Sequence, residues 1–350
     1  MPLARILLAV IAALAAYATL YPMEGWRNPG ISPFAYLSAA WPRHVTRFDV
    51  VVNVLGYVPF GFLAVAAFYP RVRGLPAFVA ATSAALALSL TLEALQSYLP
   101  ARFPSNLDVL CNFLGGAAGA AIAARFAPRL LLEGPFSHLR RDTFLAGGTI
   151  DLGLALIALW LLTQLNPATL LFGAGDLRDF LGAADARGQA PEFFVSIEAL
   201  TAAANLIAVG LLFSALASPG APARTMLALL IMAALAVKTA AFAILMRAED
   251  VFAWLTPGAR IGLALGVAVA SGLVVLPRVA RLVLAAMLIM AGTVLVNLAP
   301  PNPYLSASLK VWQQGHFLNF NGLTRLVSAL WPFATLGYLM ALAARRPRGE

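Results

Sequence analysis

The sequence predicts an all-α fold, that of a polytopic helical membrane protein. Of its 350 residues, 61% are hydrophobic and only 11% are charged, whereas soluble domains contain about 25% charged residues. Apolar runs of about 20 residues, long enough to cross a bilayer as helices, recur along the chain. Because these runs are continuously apolar and do not alternate with polar residues, they exclude a membrane β-barrel.

The apolar runs predict about ten transmembrane helices. The first run follows Arg5 and extends to Leu20. It is longer than the apolar core of about 7–15 residues in a signal peptide, so we expect a retained helix rather than a cleaved leader. The predicted spans are residues 3–21, 49–69, 76–96, 107–127, 144–165, 192–217, 224–246, 259–276, 279–298 and 322–343.

The distribution of basic residues predicts the orientation of these spans. If the N-terminus is cytoplasmic, the loops on that side hold more arginine and lysine than the loops on the other side, as the positive-inside rule requires. Both termini are therefore predicted to be cytoplasmic, with residues 22–48, 97–106 and 299–321 outside. The net charge of +9 does not indicate nucleic-acid binding, because no basic patch with interleaved aromatic residues is present.

A polar motif occurs twice within the apolar sequence. The pattern Asp-Val-x-x-Asn-x-Leu-Gly is found at residues 49–56 and again at residues 108–115. In a helix, the aspartate, asparagine and glycine of each copy share one face. Glu93 and Gln96 end the intervening span, and Arg102 follows in the loop. On the predicted topology, all of these polar groups lie at the outer end of the helices.

Each polar residue also has a purely structural interpretation. An aspartate in a first helical turn is stabilised by the helix dipole, and Asn53 or Asn112 can form an interhelical hydrogen bond. The glycines Gly56, Gly115 and Gly119 are expected to let helices approach closely. Glu93 is different, because a carboxylate near a helix C-terminus is disfavoured by the dipole. It therefore requires a partner, and Arg102 or Arg47 is expected to supply it.

The combined pattern resembles the VanZ-like family. It consists of Asp49…Asn53-x-x-Gly56-Tyr-Val-Pro59-Phe-Gly61, Glu93-x-x-Gln96, Arg102 and Asp108-x-x-x-Asn112-x-x-Gly115, within about residues 45–127. That family contains bacterial integral membrane proteins and is named for a protein that gives low-level resistance to the glycopeptide teicoplanin. The resemblance implies a multi-pass protein of the bacterial cytoplasmic membrane with a role at the cell envelope, and it makes these polar residues the candidate site. It implies no particular reaction.

The leading hypothesis is recognition or processing of an anionic lipid-linked envelope component at the outer leaflet, with an effect on glycopeptide susceptibility. The candidates for acid–base chemistry are Asp49, Glu93 and Asp108. The candidates for substrate binding are Arg47, Asn53, Gln96, Arg102 and Asn112, with Arg43 as an alternative second cation. Three carboxylates near two amides could also hold Mg²⁺ or Ca²⁺. The alternatives are a transporter or flippase, and a non-catalytic membrane scaffold.

The resemblance divides the chain into a VanZ-like four-helix unit, residues 1–143, and a six-helix C-terminal region, residues 144–350, whose role it does not imply. Within this second region Glu198 and Lys238 fall inside predicted spans, where charged groups usually have a partner, so they are expected to pair. The loop at residues 166–191 contains several charged residues and is expected to be solvated. Signatures of soluble enzymes such as a Walker A loop, HExxH or GxSxG do not occur in the sequence.

Overall fold

The computed structural model describes residues 2–42, 45–127, 135–178, 189–245, 250–303 and 318–344. This described part contains eleven α-helices and one short 3-10 helix, Ala35–Ser38. The α-helices are α1 Pro2–Leu20, α2 Arg47–Phe68, α3 Gly74–Gln96, α4 Asn106–Ala127, α5 Pro135–Thr143, α6 Gly148–Thr163, α7 Pro191–Ala215, α8 Ala223–Leu245, α9 Pro257–Leu273, α10 Arg278–Leu298 and α11 Leu318–Ala344.

The fold class predicted from the sequence is confirmed. Each predicted span coincides with one helix, and eight of these helices are long and apolar enough to cross a membrane. The two exceptions, α6 and α9, have 16 and 17 residues. The remaining helix, α5, is a polar nine-residue segment. The chain is therefore a polytopic helical membrane protein.

The helices form two compact units, Met1–Asp142 and Thr143–Glu350. In the first unit α4 packs against α2 and α3, and α1 packs against the same two helices. A Cβ atom on Gly115 would overlap the carbonyl oxygen of Val54, and one on Gly119 would overlap that of Val58. These two glycines thus allow close packing of α4 on α2, as predicted. Gly56 does not, because no described atom lies within 4 Å of a Cβ built there.

The second unit is built around α7, which packs against both α9 and α10, while α11 packs against α6. Of the eight long apolar helices in the described part of the chain, α7 is the most enclosed, with 72% of its membrane span buried inside the protein. Leu206, Leu211 and Leu212 on α7 have no exposed surface. This helix therefore forms the core of the unit, and the other helices cover it.

The segment after α6 departs from the prediction for the loop at residues 166–191. Residues 171–175 are buried rather than solvated, and residues 179–188 lie outside the described residues. The ammonium group of Lys238 donates to the carbonyl oxygens of Asn166 and Thr169, at 2.8 Å each. Asn297 Nδ2 donates to the carbonyl oxygen of Gly175 at 2.6 Å. Non-helical backbone buried in a membrane protein needs such partners, because it has no access to water.

The expected pairing of Glu198 with Lys238 is wrong for the part of the chain that the structure describes. No ion pair within 4.0 Å joins them, since the Lys238 ammonium instead binds the carbonyl groups of the buried segment. The Glu198 carboxylate lies at the start of α9, where a Cβ on Gly258 would come within 2.6 Å of Glu198 Oε2. A carboxylate at a helix N-terminus is favoured by the dipole. The two groups therefore form no ion pair, although each charge still acts on the other at longer range.

Candidate functional site

The polar residues of the repeated motif meet at one end of the first unit. Asn53 Nδ2 on α2 donates to Asp108 Oδ1 on α4 at 2.8 Å. The backbone N–H of Ser105, just before α4, donates to Glu93 Oε2 on α3 at 2.9 Å. These two hydrogen bonds join three helices, so residues from distant parts of the sequence form one polar cluster.

Asp49 takes part in capping the N-terminus of α2. Asp49 Oδ2 accepts hydrogen bonds from the hydroxyl of Thr46 at 2.6 Å and from the Thr46 backbone N–H at 3.2 Å. In return, the Asp49 backbone N–H donates to Thr46 Oγ1 at 3.1 Å. This reciprocal arrangement is a capping box, which satisfies backbone donors that a helix start leaves free. The structural interpretation of Asp49 thus accounts for its contacts.

The start of α4 is closed differently, although it carries the same motif. Ser105 Oγ accepts from the backbone N–H groups of Leu107 at 3.2 Å and Asp108 at 3.3 Å, and so caps the helix. The Asp108 carboxylate is therefore not needed at its own helix start, and it accepts the hydrogen bond from Asn53 instead. The two aspartates of the repeat are not equivalent.

Glu93 is buried, with 3% of its surface exposed. Its hydrogen-bond donor is the Ser105 N–H, and the expected arginine partners do not form an ion pair with it among the described residues. Arg102 donates through both Nε and Nη2 to the carbonyl oxygen of Tyr21, and the side chain of Arg47 is exposed. Partial burial lowers the pKa of the Arg102 guanidinium, and the charge of nearby Glu93 opposes that shift.

Gln96 and Arg102 attach the end of α1 to the cluster. Gln96 Nε2 donates to the carbonyl oxygen of Thr19 at 2.9 Å, and Arg102 binds that of Tyr21 two residues later. Both side chains thus donate hydrogen bonds to backbone carbonyl oxygens at the C-terminal end of α1. Nη1 of Arg102 makes no hydrogen bond within the described residues, so one side of the guanidinium is available to a ligand.

The segment between α1 and α2 covers this end of the unit. Tyr36 is 6% exposed, and its hydroxyl donates to the carbonyl oxygen of Leu90 at 3.3 Å. Asn106 Nδ2 donates to the carbonyl oxygen of Ala39 at 2.8 Å. Burial and, to a smaller extent, the negative charge of Glu93 raise the pKa of Tyr36. Tyr36 therefore belongs to the cluster, although it lies outside the repeated motif.

Further polar groups lie between the helices, about one turn from the cluster toward the middle of the helices. Asn112 Nδ2 on α4 donates to Ser89 Oγ on α3 at 2.9 Å. Asn112 Oδ1 and the hydroxyl of Tyr57, which lies beside Ser89, are buried and form no hydrogen bond of good geometry within the described residues. Buried polar atoms of this kind normally bind a water molecule or a polar ligand group. Ser89 could not be recognised from the sequence, because single hydroxyl residues in apolar helices are common. Tyr57 lies within the VanZ-like pattern but was not among the candidate site residues.

The carboxylates of Asp49, Glu93 and Asp108 do not form a cation-binding site in the described part of the chain. Among the described residues, no group of three His, Cys, Asp or Glu side chains has the arrangement of a metal site. Asp49 is engaged in its capping box, while Glu93 and Asp108 accept from an N–H and an amide. Arg43, the alternative second cation, lies outside the described residues.

Comparison with known proteins agrees with the resemblance seen in the motif. A family model described as VanZ/LLP1 matches residues 6–127, which correspond to α1–α4. Searches of curated proteins and of solved structures found no match. The family match includes α1, the helix that Gln96 and Arg102 attach to the cluster. The segment of this chain formed by residues 6–127 is therefore VanZ-like.

Proposed function

We propose that the VanZ-like unit recognises or processes an anionic lipid-linked component of the bacterial cell envelope at the outer leaflet of the cytoplasmic membrane. The observation that carries this proposal is the position of the cluster, since the buried carboxyl group of Glu93, the partly buried one of Asp108 and the Arg102 side chain lie together where three membrane helices begin or end. A lipid headgroup lies at this level of a bilayer. On the predicted topology, this end faces the outside of the cell.

Arg102 is assigned to binding of the anionic group. Its Nε and Nη2 atoms are fixed by the carbonyl oxygen of Tyr21, so the guanidinium is oriented before a ligand arrives. The remaining donors can form charge-assisted hydrogen bonds with a phosphate or carboxylate. Arg47, exposed at the start of α2, is assigned as the second cation. Gln96 and Asn112 support the surrounding structure through Thr19 and Ser89.

Glu93 and Asp108 are assigned to orientation of the ligand or to proton transfer. A carboxyl group that is shielded from water can exchange a proton with a bound substrate, provided that the two groups lie within hydrogen-bond distance of each other. Asp49 is assigned to the helix start instead, because both its carboxylate and its N–H are engaged with Thr46.

One observation favours a non-catalytic scaffold as the second candidate. Three polar side chains of the cluster have partners on another helix or helix end, in the pairs Asn53–Asp108, Asn112–Ser89 and Gln96–Thr19. A scaffold needs only these contacts. It predicts that activity falls in proportion to stability when any pair is broken.

Arg102→Lys and Glu93→Gln separate the two candidates. Lysine keeps the charge but lacks the planar fork of donors, so we expect binding to fall nearly as far as in Arg102→Ala. The measurement is the affinity of the purified full chain for a polyprenyl phosphate in nanodiscs, with thermal unfolding measured in parallel. Arg73→Lys, at the other end of the unit, is the matched control. Normal binding by both Arg102→Lys and Glu93→Gln contradicts the proposed site.

The link to glycopeptides is tested in cells. We expect deletion of the gene to change the teicoplanin concentration that inhibits growth, and the wild-type chain to restore it. Arg102→Ala should fail to restore it while the protein is still present in the membrane. Equal susceptibility with and without the gene would contradict an effect on glycopeptides while leaving the lipid-binding test untouched.

A further inference from the structure

A groove runs along the surface of α1 and α2 at the end of the first unit opposite the polar cluster. Its volume is ≈ 510 Å³, and its lining includes Leu8, Ala12, Phe60 and Phe68, with Arg5 and Arg71 at one end. Arg5 and Ala12 are separated by about 10 Å along the helix axis, at about 1.5 Å per residue. The groove thus passes from a charged rim into the apolar part of two predicted membrane spans.

The charged rim of the groove is strongly basic. Four arginines lie at this end of the unit, at positions 5, 71, 73 and 125, and the described residues 2–20, 64–80 and 113–127 contain no aspartate or glutamate. No carboxylate from these segments therefore neutralises the arginines. In the bilayer, such a concentration of positive charge next to apolar helices attracts anionic lipids.

Only two of the four arginines face the groove with free donors. Arg73 Nε donates to the carbonyl oxygen of Pro70, and its guanidinium lies 5.0 Å from the centre of the Tyr69 ring. The Arg125 guanidinium lies 5.5 Å from the centre of the Phe126 ring. Arg5 uses only Nε, which donates to the carbonyl oxygen of Ala67 at 3.2 Å. Arg71 forms no side-chain hydrogen bond or ion pair with the described residues.

We propose that this groove is a binding site for an anionic phospholipid, with the phosphate at Arg5 and Arg71 and an acyl chain along Leu8, Ala12 and Phe60. The two parts of the groove require an amphiphile, because the rim needs an anion and the interior needs hydrocarbon. A free phosphate ion would use the rim alone, and a zwitterionic lipid would bring no net charge to it. The site is independent of the polar cluster and of the function proposed for it.

The test measures retention of lipid by the purified full chain. Native mass spectrometry in detergent compares phosphatidylglycerol with phosphatidylcholine of the same acyl chains, with sodium phosphate as competitor. We expect preferential retention of phosphatidylglycerol. Arg71→Gln should weaken it about fivefold, the factor expected for one basic residue at a membrane surface, and Arg5→Gln with Arg71→Gln should weaken it further.

Matched variants separate the groove from general surface charge. Arg73→Gln removes a neighbouring arginine that does not line the groove and should leave retention unchanged. Ala9→Phe places a ring in the groove, whereas Ala13→Phe places the same ring on α1 outside the lining. Only Ala9→Phe should reduce retention. If Ala9→Phe fails to fold, as shown by its melting curve, Ala9→Leu replaces it.

Three results would overturn the proposal. Equal retention of the two lipids would remove the role of charge, and equal losses in Arg73→Gln and Arg71→Gln would reduce it to general surface charge. Full competition by sodium phosphate, without any effect of the Ala9 variants, would indicate a free-phosphate site. Arg102→Ala should not alter phosphatidylglycerol retention, so this test and that of the polar cluster can fail separately.

Discussion

Single polar side chains in the VanZ-like unit either close a helix end or join two helices. Asp49 bonds Thr46 within its own first turn, whereas Asp108 accepts from Asn53 on another helix. The difference comes from the cap residue, since Ser105 already closes α4. The Asp108 carboxylate is thereby available for contact with a ligand, while that of Asp49 is engaged.

The two aspartates should respond differently to substitution. Asp49→Ala removes the capping box and should destabilise the protein by about 1 kcal/mol while leaving lipid binding intact. Asp108→Asn keeps an oxygen that accepts from Asn53, so stability should change by less than about 0.5 kcal/mol. It removes the charge, and the proposed function should be lost. Thermal unfolding and polyprenyl phosphate binding measure both effects. Equal behaviour of the two variants would show that the aspartates have the same role.

The glycines of the two copies of the repeated motif contribute differently to helix packing in the first unit. Gly115 on α4 faces the backbone of Val54, but Gly56 on α2 faces open space. The two glycines occupy the same position in an identical motif. Their environments differ because α4 packs into α2 through its glycine face, whereas α2 meets α4 through Gly61, where a Cβ would overlap the carbonyl oxygen of Gly116.

Alanine at these two glycines should therefore shift stability in opposite directions. Gly115→Ala forces α4 away from α2 and should destabilise the protein by about 1–3 kcal/mol. Gly56→Ala adds a methyl group in open space and should stabilise the helix by up to about 1 kcal/mol through higher helix propensity. Melting temperatures in one detergent provide the comparison. A loss of stability in Gly56→Ala similar to that in Gly115→Ala would place a close contact at both glycines.

The buried segment after α6 depends on Lys238. Lys238→Met should remove the donor from the carbonyl oxygen of Thr169 and leave that of Asn166 with its contacts from Thr169 alone, at a cost of about 1–3 kcal/mol. We expect faster hydrogen exchange in residues 164–178, measured by mass spectrometry. Glu198→Gln is the control, because Glu198 lies at the start of α9 and does not bind this segment. Equal opening of the segment in both variants would indicate that the two charges act as a pair.

At the scale of the whole molecule, the length of each apolar run predicted the helices well, because crossing a bilayer requires a nearly fixed number of residues. The position of a residue along its helix did not predict which groups of other helices it contacts. Glu198 and Lys238 lie within membrane spans, yet they point to different partners, since the direction of a side chain around the helix axis depends on packing. The charged residues of the loop at 166–191 predicted a solvated segment, and only the structure shows that residues 171–175 within it are buried.

The orientation of the molecule in the membrane is the prediction on which the proposed outer-leaflet site depends. The polar cluster and the basic groove lie at opposite ends of the first unit, so one labelling experiment addresses both. With Cys111 replaced by serine, a cysteine at Arg102 should react with a membrane-impermeant maleimide added to intact cells, and a cysteine at Arg73 should react only after the cells are opened. This result follows from the excess of basic residues on the side of the N-terminus. Reaction at position 73 alone in intact cells would place the polar cluster in the cytoplasm and contradict recognition of an outer-leaflet component.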